Sequence, residues 1–326
     1  MGGHVRIGLI GAGNIARLVH LPVLRRLGGV TVTAVAEPSP QARAAAGVLV
    51  PGAIIVEDVG ELLQLPDVDA VVVTAPSGLH AELAIAVVRA GRHLYLEKPL
   101  ATTLADGERV VAAARAVGVV ATIGFNRRFH PAVRRARSAV RVGGLGNVRR
   151  VSSIFTEPAN GLPAWKTTRA QGGGALLDLA SHHVDLIRFL LGVEVEAVHA
   201  TVASQRSEHD SAILHLQLSG GAEAELDVGF RDPRTDVLEI VGERGTLRVD
   251  RHAGRVSRRP RRLAPSRELA LLRFRLLVRP SSEPSYALAL RAFVARVRGE
   301  DIDLPTLDDG LASLRVVVAA EEAATL

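Results

Sequence analysis

Apolar residues form short unbroken runs in the first third of this chain and alternate strictly with polar ones further on. Val5–Ile10 is one such run, and others occupy Val30–Ala36 and residues 53–56, 70–74, 93–97 and 119–124. A helical stretch follows the first run through Arg26, and helical periodicity marks 57–65, 79–90 and 103–117. Strands apolar throughout are buried on both faces, and their alternation with helices predicts a parallel sheet covered on either side. Ligands of such sheets lie beyond the carboxyl ends of the strands. Glu37, Thr74-Ala75-Pro76, Glu97-Lys98-Pro99 and Phe125-Asn126 all fall at such ends.

Past residue 125 the pattern changes. Leu214, Leu216 and Leu218 interleave with His215 and Gln217, and Ala224, Leu226 and Val228 with Glu225 and Asp227, as half-buried strands of an antiparallel or mixed sheet do. Residues 237–249, interrupted by Gly242-Glu243-Arg244-Gly245, read as a hairpin. The change in strand type sets the expected domains at 1–124 and 125–326.

The first strand runs into Gly11-Ala12-Gly13-Asn14-Ile15-Ala16 and then a helix, which is G-x-G-x-x-A in its required context. Gly11 permits the turn, Gly13 lets backbone approach a pyrophosphate, and Ala16 allows close packing of helix on strand. Glu37 ends the second strand, twenty-four residues beyond Gly13, where a carboxylate accepts hydrogen bonds from the adenosine ribose and repels a 2′-phosphate. This favours NAD over NADP. In the second half, Gly172-Gly173-Gly174 opens a helical stretch on which Asp178, His182 and Asp185 are spaced i, i+4 and i+7, on one face. That row suits a metal site, a general acid/base assembly or a helix salt-bridge row; no further ligand set accompanies it, so no metal is expected.

Composition sharpens this reading at two points. Of forty basic residues only Lys98 and Lys166 are lysines, and Lys98 ends an apolar strand. An ammonium is a compact donor whose proton affinity responds to burial, unlike a guanidinium, so its retention there points to chemistry. The net charge of +6 is local: residues 248–280 hold eleven arginines against Asp250 and Glu268. We expect a solvated, variable loop or oligomer contact there, or a docking surface for an anionic substrate group. Without interleaved aromatics or a recognition motif, nucleic acid is not an expected partner. The chain has no cysteine, hence no disulfide, thiolate metal site or cysteine nucleophile. No apolar stretch approaches the roughly 20 residues of a membrane span, and the start leaves no room for a signal peptide. A cytoplasmic protein is expected.

Taken together, Gly11 to Ala16, Thr74-Ala75-Pro76 followed by His80, Glu97-Lys98-Pro99, Gly124-Phe125-Asn126-Arg127-Arg128-Phe129, Gly172-Gly173-Gly174, Asp178 to His182 and the terminal helix after Asp308-Asp309-Gly310 resemble the glucose-fructose oxidoreductase and inositol dehydrogenase (Gfo/Idh/MocA) family over nearly the whole chain. The resemblance implies an α/β protein: an N-terminal Rossmann doubly wound parallel sheet and a C-terminal α/β domain with an open, largely antiparallel sheet, packed as a homo-oligomer (dimer or tetramer) through that sheet. It implies NAD-dependent oxidation or reduction of a secondary carbinol of a sugar or cyclitol. Carried over by position, Lys98, Asp178 and His182 are the catalytic set. Gly11, Gly13, Asn14, Ile15, Glu37, Thr74, Ala75, Pro76, His80, Glu97, Lys98 and Asn126 hold the cofactor. Lys98, Arg128, Trp165, Asp178, His182 and His183 meet substrate. His183 departs from the Asp common in relatives, and Trp165-Lys166 stands where they often have Trp-Arg. The same family contains redox-neutral NAD-dependent glycoside cleavage or rearrangement and a non-enzymatic NAD-binding sensor; product without net NADH marks the first, cofactor binding without turnover the second.

Overall fold

The computed structural model describes residues 3–260, 263, 266–278 and 283–324. The chain divides into two units, one formed by residues up to Phe125 together with Tyr286–Leu314, the other by Asn126–Ser285 and residues from Arg315 onward.

The first unit carries six parallel strands, β1 (Val5–Ile10), β2 (Val30–Ala36), β3 (Ile54–Val56), β4 (Ala70–Val73), β5 (His93–Leu96) and β6 (Ala121–Ile123), in the order β3-β2-β1-β4-β5-β6. This is a doubly wound sheet that reverses direction between β1 and β4, where ligands of such sheets bind. Ile7, Leu9, Val71, Val72 and Leu94 have no exposed surface, as strands covered on both faces require. The helices between them start and stop on local signals. Ser39 caps Pro40–Leu49, Thr103 caps Leu104–Val117 through the Asp106 N–H, and Gly118, at φ +73°, ends the latter.

Sequence analysis assigned everything beyond residue 124 to the second domain. The segment Tyr286–Leu314 instead completes the first unit. Phe293 packs edge-on against Tyr95, at 5.7 Å between ring centroids. The Pro305 carbonyl accepts bonds from the Thr122 hydroxyl (2.6 Å) and the Ile123 N–H (3.2 Å), extending the hydrogen bonding of edge strand β6. Gly107 is packed closely by Leu311 and Leu314, whose side-chain ends would lie 3.0–3.1 Å from an added Cβ.

The second unit holds a seven-stranded sheet of β7 (Val148–Glu157), β8 (Val195–Ala203), β9 (Ser211–Leu218), β10 (Glu223–Phe230), β11 (Thr235–Gly242), β12 (Gly245–Asp250) and β13 (Arg255–Arg259), ordered β13-β12-β11-β7-β10-β9-β8. All neighbours are antiparallel except β7 and β10. Alternation sets the register: Leu214, Leu216, Leu218, Ala224, Leu226 and Val228 face inward. The hairpin expected across 237–249 is β11 and β12, with Gly242 opposite Gly245.

The arginine-rich segment departs from its expected loop. It forms β13 and the helix Arg267–Val278, while Arg251 is buried and Arg258 donates to the Gly144 carbonyl. Arg261, Arg262 and Arg279 lie outside the described residues. Among the described residues no helix is long and apolar enough to cross a membrane.

Burial holds five histidines, His80, His93, His130, His183 and His252, below the ordinary imidazole pKa, His130 down to about 3. The unfolded chain takes up these protons near pH 6.5, and the folded chain does not until lower pH. Stability is therefore full above about pH 6.5 and declines as pH falls toward the folded values. His130 Nδ1 accepts the Ala132 N–H and caps the helix Pro131–Arg141, a role asparagine fills. In urea titrations across a pH series, His130→Asn is expected to flatten the fall in midpoint between about pH 6.5 and 4. An unchanged slope would show that this ring does not resist protonation.

Candidate active site

In the first unit the ends of β1 and β4 are sewn together. The Thr74 N–H donates to Ile10 O (2.8 Å) and its hydroxyl to Gly11 O (2.6 Å), while the Gly11 N–H donates to Ala36 O (2.9 Å). Gly11 has φ +87°, and a Cβ there would stand 2.8 Å from Ala75 backbone atoms, so no other residue fits. Gly13 is the opposite case: exposed, with no heavy atom within 4 Å of where a Cβ would be. Its carbonyl accepts the Arg17 N–H (3.1 Å) at the start of the first helix, whose leading N–H groups have no partners within the helix and carry the positive dipole end. Asn14 is exposed, with Oδ1 on the Arg17 guanidinium (3.0 Å), and Ile15 is half-buried. Bare backbone, free helix N–H groups and open space fit a pyrophosphate.

Glu37 is buried at the end of β2, accepting the Ala12 N–H at 2.6 Å and the Ser39 N–H at 2.9 Å. Its carboxylate is thereby tied to the glycine turn. Arg43 donates to the carbonyls of Glu37 and Pro38 (both 2.8 Å) and pairs with Glu57 (3.0 Å). Ala75 is half-buried and Pro76 exposed.

His80, which sequence analysis grouped with the cofactor-binding residues, lies beneath the ends of the strands. It is buried, with Nδ1 2.6 Å from Pro99 O and Nε2 2.9 Å from Ala75 O. The ring braces the turn after β4 against the turn after β5, and its nitrogens are taken by protein. Glu97 is buried as well, 2.8 Å from His20 Nε2, and Gly124 leaves room for its carboxylate. His20 lies edge-on to Tyr95 and Tyr286. Sequence reasoning passed over it, since one histidine on the inner face of a helix carries no pattern. Lys98 follows Glu97, half-buried, ahead of the cis Lys98–Pro99 peptide.

In the second unit, the helix Ser181–Leu191 is preceded by a wider π-type turn, Leu176–Ala180. Asp178, His182 and Asp185 are all buried. Asp178 accepts from Lys166 Nζ at 2.6 Å, and His182 lies edge-on to Phe155 (6.2 Å). Asp185 is gripped by both nitrogens of Arg128's fork, Nε at 2.9 and 3.1 Å and Nη2 at 2.5 Å. Arg128, expected to meet substrate, is thus engaged with the helix and stacked over Phe189. Trp165 is half-exposed, its ring 5.5 Å from Lys166 Nζ, and buried Asn126 donates to Ser285 Oγ (3.3 Å).

His183, expected to meet substrate, is 0% exposed, stacked on Phe155 at 4.9 Å with 6° between the planes. Arg127 Nη1 donates to its Nε2 (2.8 Å), which leaves the Nδ1 proton for the Ser153 hydroxyl. Behind it lies Asp236, 4% exposed, paired with Arg127 (2.8 Å) and Arg251 (2.7 Å) and 3.5 Å from His183. Burial alone would raise the Asp236 pKa; the two guanidiniums outweigh it and hold the carboxyl well below its usual range. Arg127 also lies over the Phe155 ring at 3.7 Å. None of Arg127, Ser153, Asp236 or Arg251 was singled out from sequence. Among the described residues no group of three or more His, Asp or Glu side chains is placed to hold a metal ion.

Asp236→Asn would leave two buried guanidiniums without their shared anion. A loss of about 3–5 kcal/mol is expected, read as a fall in the urea midpoint; a loss within experimental error would show that the arginines reach water or another anion.

Comparison with known proteins agrees with this arrangement. Residues 5–125 match the model described as "Oxidoreductase family, NAD-binding Rossmann fold", and 133–248 match the "GFO/IDH/MocA C-terminal domain". The chain is 31% identical to 1,5-anhydro-D-fructose reductase of Ensifer adhaerens over 98% of its own length and 96% of that protein's. It is 30% identical to inositol 2-dehydrogenase of Rhizobium meliloti (strain 1021), over 97% and 96%. Among solved structures, the WlbA dehydrogenase from Bordetella pertussis in complex with NADH and UDP-GlcNAcA superimposes with a TM-score of 0.85 at 26% identity, over 98% of this chain and 95% of that one. With a glycine turn, a doubly wound sheet and an open mixed sheet matched from end to end, this chain belongs to the Gfo/Idh/MocA oxidoreductase family, with an NAD-binding Rossmann fold in its first unit.

Proposed function

We propose that this protein is an NAD(H)-dependent oxidoreductase that exchanges a hydride with a secondary carbinol or ketone of a sugar, cyclitol or related polyol. The observation that carries this reading is end-to-end similarity to a sugar reductase and an inositol dehydrogenase, and Lys98, Asp178 and His182 are the residues we assign to catalysis. Gly13 and the N–H groups after it receive the pyrophosphate, Glu37 the adenosine ribose, and Thr74, Ala75, Pro76 and Lys98 the remainder of the cofactor. Glu37 disfavours a 2′-phosphate, so NAD is preferred to NADP.

NAD, when bound, takes the hydride from the carbinol carbon in oxidation or returns it in reduction. The residues of the chain handle the proton and the charge. In oxidation the hydroxyl proton leaves to His182 as the carbon–oxygen double bond forms, and in reduction it returns. Lys98 is the cation assigned to stabilise negative charge that develops in the reaction, and Asp178 orients the imidazole. Trp165 offers a ring to the apolar face of the sugar or cyclitol. Subunits pair through the outer face of the seven-stranded sheet. There Ile154, Asp227 and Ile213 line up across β7, β10 and β9, with both isoleucines substantially exposed.

Fluorescence titration is expected to give NADH binding at least about tenfold tighter than NADPH, and Glu37→Ala should narrow that gap. Gly13→Ala should keep the thermal midpoint yet weaken NADH binding, since a methyl there meets only open space in the protein. Turnover is sought on myo-inositol with NAD+ and on 1,5-anhydro-D-fructose with NADH. Lys98→Ala should abolish it, with NADH binding weakened but still measurable. Activity that survives Lys98→Ala would remove Lys98 from the chemistry, and NADH binding without turnover of any polyol or ketosugar would overturn the enzymatic reading.

A further inference from the structure

The chain's other lysine also meets a candidate catalytic residue. Lys166 Nζ lies 2.6 Å from Asp178 Oδ2, and the ammonium-bearing side chain is 25% exposed while the carboxylate is 6% exposed. The contact is built into the backbone on both sides. The Lys166 N–H donates to Pro163 O (2.9 Å), and the Lys166 carbonyl accepts the Gly174 N–H (3.1 Å) at the head of the helical segment that carries Asp178. Between them, a Cβ on Gly173 would fall 2.3 Å from the Lys166 carbonyl oxygen. Gly173 is therefore required by the close passage of Trp165-Lys166 against the start of that segment. Further along, the Glu208 N–H donates to Thr167 O (3.2 Å), and Arg169 pairs with Glu321 (2.5 Å).

The same stretch of helix supplies a contrast. Seven residues on, Asp185 is held by the planar fork of Arg128, which reaches both of its oxygens and closes the pair. Lys166 engages Asp178 at Oδ2, as a tetrahedral donor with two further N–H bonds. In a chain with 38 arginines among its forty basic residues, the partner of this buried carboxylate is an ammonium.

We propose that Lys166 is a positioning and specificity residue of the oxidoreductase: it fixes Asp178 and presents its remaining N–H groups to an oxygen of the polyol substrate. This rests on the functional reading above, in which Asp178 belongs to the catalytic set. A lysine that merely tied two segments together would affect stability and leave the kinetic constants of folded enzyme unchanged.

The test is a double-mutant cycle on the holoenzyme: wild type, Lys166→Met, Asp178→Asn and the double variant, with Lys166→Arg as the conservative control. The probes are myo-inositol with NAD+ and 1,5-anhydro-D-fructose with NADH, and thermal midpoints are recorded for each protein. Lys166→Met is expected to lower kcat/KM by about ten- to a hundredfold, the scale of a misplaced catalytic group, with KM raised and kcat lowered. The double variant should be little worse than Asp178→Asn alone, because the ammonium is held toward the substrate only while that carboxylate anchors it. Lys166→Arg should restore part of kcat. Trp165, the chain's sole tryptophan, stands beside the ammonium, so its emission should change alike in Lys166→Met and Asp178→Asn. Wild-type kcat and KM in Lys166→Met, additive losses in the double variant, or emission unaltered in both single variants would each overturn the proposal. Absence of wild-type turnover on both probes would instead remove the functional reading for these substrates, and the proposal with it.

Discussion

A carboxylate taken out of water must find donors, and much of this protein is arranged around that requirement. Glu37, Glu97, Asp178, Asp185 and Asp236 are all buried. Each has its own partner: backbone N–H groups for Glu37, His20 for Glu97, Lys166 for Asp178, Arg128 for Asp185, and Arg127 with Arg251 for Asp236. Most partners lie on a different element from their carboxylate, so the pairs also tie those elements together. In the first unit Glu37 ties the end of β2 to the glycine turn. In the second, Asp236 on β11 collects one arginine from before β7 and another from after β12. Removing either arginine would leave an anion without full compensation in a low-dielectric interior, which makes these contacts specific as well as cohesive.

The partners also differ in kind, and the difference follows their use. Arg128 and Asp185 form a closed, planar pair suited to holding a helix in place. Backbone N–H groups leave Glu37 with lone pairs still available to a ribose. The ammonium of Lys166 is the most open of the set.

Much of the first unit was legible in the sequence because its strands are unbroken apolar runs and the glycine turn has one sterically permitted form. The second unit was legible where alternation follows the hydrophobic pattern, as in β9 and β10. β7 escaped detection because two adjacent positions break its alternation. Ser153 points inward and Ile154 outward, and the serine is tolerated inside because its hydroxyl meets the His183 ring. His80 and His183 were assigned to ligands because their motif positions suggested it; which backbone carbonyl or arginine surrounds a histidine depends on tertiary contacts that spacing does not encode. The buried arginines were hidden in a composition that uses arginine nearly everywhere. Lysine scarcity was the usable signal, and it applied to Lys166 as much as to Lys98.

The return of Tyr286–Leu314 to the first unit has a consequence for the order in which the protein can be made. A ribosome that has finished Phe125 has produced all six strands of the parallel sheet, but not Phe293 to cover Tyr95 or the Pro305 carbonyl to satisfy the edge at Thr122 and Ile123. The nascent sheet must wait, with one edge and part of its core uncovered, until about half the chain again has been synthesised and the second unit has been threaded out between. Folding from the amino terminus therefore ends where translation ends, and a fragment that stops at the apparent domain boundary lacks part of its own interior.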